Sequence, residues 1–137
     1  MGNYWTNAVR HPEDVGVGHI RRTVSFDQSG LAAGIPVGAL EKGSIPLRAY
    51  VVIETAFNAG TTNVLVLGSA ADDDGLVTSA NSAAGATGLK AGTGALLGAP
   101  LAADTVFFAK FTQTGTAASA GKATLVVEFV NARETAA

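Results

Sequence analysis

Few residues of this chain could do chemistry, and their spacing argues against most of what they could do. His11 and His19 are its only imidazoles. They form neither a His-x-x-x-His nor a His-Glu-x-x-His frame, the spacings that put two ligands on one helix face, so a zinc site has no support. Cysteine is absent, which removes thiolate nucleophiles, thiolate metal sites and disulfides together. No Gly-x-Ser-x-Gly elbow occurs, and a Ser/His/Asp triad has no strand–turn–helix context to sit in. Gly16-Val17-Gly18 and Gly92-Thr93-Gly94 continue into neither Gly-x-x-Gly nor Gly-Lys-Ser/Thr, so they do not read as phosphate cradles. The densest acidic group is Asp72-Asp73-Asp74. Consecutive aspartates can serve Ca²⁺ in a sandwich loop, but an EF-hand loop alternates its oxygens and ends on Glu. A solvated turn accounts for the run more simply. Glu41, Glu54, Asp104 and Glu128 lie on separate strands and loops, with no sign of the pair about 5–9 Å apart that glycoside hydrolysis requires. The expectation is a protein that is not an enzyme and holds neither metal nor cofactor.

Composition narrows the alternatives. A chain of 137 residues, 47 % apolar and 15 % charged, is one domain with enough apolar surface for a core, and is no disordered polyelectrolyte. Its net charge of −2 and the lack of any basic stripe beyond Arg21–Arg22 give no electrostatic case for nucleic acid. No apolar stretch approaches the roughly 20 residues that span a bilayer, and the N-terminus lacks a secretory apolar segment. Met1-Gly2-Asn3-Tyr4-Trp5-Thr6 matches the N-myristoylation pattern, which is short enough to arise by chance. Neither nucleic acid nor membrane is an expected partner.

The elements that would have to position any site are strands. Residues 1–18 are polar and broken by Pro12, Gly16 and Gly18, so they read as an extended arm carrying Tyr4 and Trp5. Residues 19–137 read as one β domain. The run 19–26 alternates with Ile20, Val24 and Phe26 on one face, and Arg22 interrupting that face places the strand near a sheet edge or a sheet end. Pro36 in the piece 35–40 suits an edge strand or a strand start, not a central ladder. Residues 45–55 form the longest strand, with Leu47, Ala49, Val51 and Ile53 facing inward. After the turn-forming 58–63, residues 64–67 are expected to pair with it as a hairpin. Residues 79–100 are a long Gly/Ala-rich loop in which glycines recur too closely for a helix, with one short strand around 95–97. Two strong β runs, 105–112 and 122–131, end the chain. Thr105, Phe107, Ala109 and Phe111 share one face of the first; Ala123, Leu125, Val127 and Phe129 share one face of the second. Paired as a hairpin, with Thr112 opposite Lys122, they would put Phe108 opposite Val126 on the outward face. Val106, Phe108, Val126 and Val130 would then make a self-association patch, and the chain a dimer or trimer. The fold class is all-β: a single-domain, jelly-roll-like β-sandwich.

The run Tyr50-Val51-Val52-Ile53-Glu54-Thr55-Ala56-Phe57-Asn58, continuing through Thr62-Asn63, the apolar 64–67, Gly68-Ser69-Ala70-Ala71 and Asp72-Asp73-Asp74-Gly75, resembles a segment of small structural proteins of tailed bacteriophages. Thr112-Gln113-Thr114-Gly115, Gly121-Lys122-Ala123 and Val126-Val127-Glu128-Phe129-Val130 resemble the last strands of such proteins. The likeness covers over half the chain and is closest to jelly-roll capsid decoration (cement) proteins. It implies a virion protein made in the host bacterial cytoplasm, which binds the major capsid protein on the outer head surface and stabilises the shell. On that reading Tyr4, Trp5, Arg10, Leu89, Leu96 and Leu97 contact the capsid, from the arm and the long loop. The alternative is a tail- or fibre-associated structural or carbohydrate-binding β module, against which stands the single Tyr, Tyr50, on a predicted strand.

Overall fold

A computed structural model describes residues 17–131. It contains seven strands: β1 (Gly18–Ser25), β2 (Ile35–Leu40), β3 (Ile45–Thr55), β4 (Thr62–Ser69), β5 (Gly88–Ala91), β6 (Thr105–Thr114) and β7 (Lys122–Val130), with one 3-10 turn at Ser79–Asn81. They form two antiparallel sheets, ordered β1-β7-β3-β5 and β2-β6-β4. The fold is a β-sandwich, as its alternation predicts. Arg22 and Pro36 both mark edges, since β1 and β2 end their respective sheets.

Successive strands alternate strictly between the sheets, so every connection crosses the sandwich. This corrects both expected hairpins. β3 and β4 lie in different sheets, as do β6 and β7. The alternation of β6 and β7 is satisfied by opposition rather than adjacency. Phe107, Ala109 and Phe111 line one wall of the core, and Ala123, Leu125 and Val127 the other. Side-chain period determines which face of a strand is oily, not which strand lies beside it.

Two further departures have local causes. Leu47 is 39 % exposed, whereas Pro46 is fully buried. A bulge between Pro46 and Arg48 in the pairing with β7 makes Leu47 the extra residue and shifts the inward phase before Ala49. Phe129 is only half-buried and packs at the margin of the core against Gly18. The centre is taken instead by residues outside the long alternating runs. Phe57 is 1 % exposed, with its ring centroid 4.7 Å from that of Phe111, and Leu76 and Val77 are fully buried.

The Gly/Ala-rich stretch is tied down along its length. Residues 88–91 are β5, paired with β3, while the strand expected at 95–97 is a turn. Beyond β5 the backbone donates from Gly92 to the Ala49 carbonyl (2.7 Å), from Gly94 to Leu76 (3.0 Å), from Leu96 to Gly75 (2.9 Å) and from Gly98 to Pro46 (2.7 Å). A Cβ at Gly94 would stand 2.0 Å from the Gly75 oxygen. Glycine is there because two backbones touch.

Candidate functional site

The sandwich presents two outer faces, one from each sheet. On the β1-β7-β3-β5 sheet, pairing register and alternation bring Arg21, Val126, Tyr50 and Ala91 into one row, and Thr23, Thr124, Val52 and Leu89 into the next. Arg48 Nη2 lies 2.8 Å from Glu128 Oε1, and the Tyr50 hydroxyl donates to Glu128 Oε2 at 3.2 Å. Hydrogen bonding to Arg48 holds the Glu128 carboxyl below the usual range, and the same contact raises the Arg48 guanidinium. Lys122 faces Glu54 at 3.6 Å. Beside this network Arg48, Tyr50, Leu89, Ala91 and Glu128 line a shallow cleft of about 310 Å³. His19 lies on the edge strand β1, exposed and opposite Glu128.

The outer face of the β2-β6-β4 sheet is oilier. Pro36 stands opposite Phe108, and Phe108 opposite Gly68; Ala39 stands opposite Val106, which is 43 % exposed. Lys110 crosses this face to Asp73 (Nζ–Oδ2 3.1 Å), a ridge between a cleft floored by Phe108 and one floored by Val64 and Val66.

The acidic run makes the corner of this face. Ser69 and Gly75 N–H groups both donate to the Asp72 carbonyl, at 2.8 and 3.0 Å, folding the turn over Gly68. A Cβ at Gly68 would meet the Asp72 oxygen at 2.2 Å. One carboxylate oxygen from each of Asp72, Asp73 and Asp74 lies within 4.8 Å of the others. Desolvation first, then the neighbouring Asp74, pushes the Asp72 carboxyl up. The backbone hydrogen bonds and Lys110 hold the turn.

The residues singled out from sequence scatter over this frame. Tyr4, Trp5 and Arg10 lie outside the described residues, which begin at Val17, with β1 starting at Gly18. Leu89 is 60 % exposed on the first face. Leu96 and Leu97 pack against the core at one end. Val106 and Phe108 sit on the outer face of the second sheet, whereas Val126 and Val130 belong to the first. The single patch inferred from a C-terminal hairpin therefore does not form within one molecule. Lys110 and the Asp72–Asp74 corner were missed as parts of one surface, because residues 37 apart meet only through the β4–β6 pairing.

A chain of the cyanophage Pam1 capsid asymmetric unit has a similar structure, with a TM-score of 0.66 over 89 % of this chain and 89 % of that one. The likeness is one of fold. Sequence identity is 18 %. No family model matches the chain, and no curated protein matches it. Among the described residues no helix is long and apolar enough to cross a membrane.

Proposed function

We propose that this chain is a structural protein of a phage virion, seated on the outer surface of an icosahedral head, where it joins neighbouring major capsid protein subunits and stabilises the shell. The observation that carries the reading is the overlap in fold, along nearly the whole of both chains, with a chain of a phage capsid asymmetric unit. Two broad, half-apolar faces support it, since such surfaces act by contact area rather than by chemistry. At about 25 cal/mol per Å² of apolar area, a modest contact repeated over a shell adds up, although lost freedom on binding offsets part of each contact.

In this reading the arm of residues 1–18 anchors through Tyr4 and Trp5, with Arg10 as a polar contact. Aromatics supply large contact area, and ordering the arm costs about 1–2 kcal/mol per residue. Leu89 extends the contact from the first face, and Leu96 and Leu97 shape its margin. The protein acts as a homo-oligomer, made in the host cytoplasm and carried on the virion. Co-sedimentation with purified heads tests this, comparing the full chain with a variant beginning at Val17. The full chain should bind and raise the temperature at which heads disrupt; the shortened one should fold and not bind. Heads left unbound and unstabilised by the full chain would refute the proposal, and capture of a glycan instead would transfer the reading to a carbohydrate-binding module.

A further inference from the structure

We infer that copies of this chain associate front to back, the outer face of the β1-β7-β3-β5 sheet of one lying on the outer face of the β2-β6-β4 sheet of the next. The first argument is charge. On the first face Arg21, Arg48 and Lys122 stand against Glu54 and Glu128, and Arg21 has no carboxylate partner among the described residues. On the second, Asp72, Asp73 and Asp74 stand against Lys110 alone. The two faces of one molecule thus carry opposite net sign. Pairing either face with its own copy opposes like charges, whereas pairing one with the other opposes unlike charges.

The second argument is apolar area. Leu89 and Val106, two of the few large apolar side chains left well exposed, lie one on each face, at 60 % and 43 %. Val130 on the first face and Val106 and Phe108 on the second, which cannot meet within a molecule, meet across this contact, whereas Val126, 8 % exposed, adds little area. The faces also differ in relief: the Lys110–Asp73 ridge stands on one, and the cleft beside Arg48 and Tyr50 is sunk in the other. The three-stranded face limits the contact: strands about 4.8 Å apart, each rising about 3.3 Å per residue over some eight residues, give roughly 380 Å² per partner. That lies below the standard size of specific interfaces, so the contact is weak and reversible. Being heterologous, it builds rings or rows rather than a closed two-fold dimer. The inference shares Leu89 and these faces with the capsid reading, but it is tested on the free chain without heads, so either can fail without the other.

The native chain has no cysteine, so single cysteines report the contact cleanly. Leu89→Cys and Val106→Cys replace exposed side chains and should fold. One variant is isotopically labelled, and the two are joined by a flexible bis-maleimide. The mixture should yield labelled–unlabelled pairs about tenfold faster than either variant alone yields self-pairs, the scale of electrostatic steering. Adding Asp73→Lys and Asp74→Lys to the Val106→Cys copy, or raising the salt, should abolish that excess. Equal rates of self- and cross-pairing, no cross-linking, or an excess that survives charge reversal would each overturn the inference.

Discussion

Replacing Phe57 by Ala is the sharpest test of how this core is built. The side chain is 1 % exposed and its ring sits 4.7 Å from that of Phe111, tilted by 42°. On its other side lies backbone: a Cβ at Gly121 would come within 2.4 Å of Phe57 Cδ2. Burying about 150–250 Å² of aromatic surface at about 25 cal/mol per Å² stabilises the fold by roughly 4–6 kcal/mol before any relaxation. Phe→Ala changes in cores cost about 3–5 kcal/mol. Gly121 has no side chain to turn into the void, and its φ of +149° limits what could replace it. The expected loss is therefore about 4 kcal/mol, a large part of the 5–15 kcal/mol available to a typical domain. Urea titration followed by circular dichroism measures it, and an unchanged m value would confirm that the unfolded reference is the same. Leu47→Ala is the counterpart. Read from alternation alone, Leu47 belongs to the core, but the bulge turns it outward and its truncation should cost less than about 1 kcal/mol. A loss below about 1.5 kcal/mol for Phe57→Ala, or a larger loss for Leu47→Ala, would refute this account of the core.

Gly94→Ala should cost about 1–3 kcal/mol by forcing apart the backbones at Gly94 and Gly75, and hydrogen exchange should then quicken at the Gly94 and Leu96 amides that bond across the gap. Gly38→Val should open the seam between β1 and β2, where Ile20 already fills the space of any Cβ and Arg22 donates to the Pro36 carbonyl; a thermal midpoint equal to wild type would contradict that packing. Because Arg48 holds the folded carboxyl of Glu128 below its usual range, the stability it contributes is present above the unfolded glutamate pKa and is lost as pH falls through the lower folded value. Glu128→Gln should flatten this limb of the acid-denaturation curve. Asp72 runs the other way: its folded carboxyl is raised, so its contribution grows as pH falls through the folded value towards the unfolded one, and Asp72→Asn should remove that gain. Two-dimensional NMR titration of both carboxyls checks the two signs.

Much of this protein is legible along the chain. β-Branched and aromatic residues at period two name the strands β1, β3, β6 and β7 and their inward faces, since a pleated backbone sends successive side chains to opposite sides. Arg22 and Pro36 mark edges, because a charge on the oily face and a missing N–H are tolerated best at the rim of a sheet. Which strands pair is not legible. Face assignment is local, whereas pairing depends on where each connection carries the chain, and here every connection crosses to the other sheet. The same physics separates Val106 and Phe108 from Val126 and Val130, which a hairpin would have joined. Phe57, Leu76 and Val77 lie outside the strands and carry no period that betrays burial; the strands closing around them put them inside. Glycine in residues 92–98 looks like flexibility in a string of letters, yet at Gly92 and Gly94 it marks close backbone contact. The acidic corner likewise acquires Lys110 only when β4 and β6 are laid side by side. Composition chose the sandwich, because an apolar, helix-poor chain must bury its sheets against one another; the order of crossings alone decided which side chains share a surface.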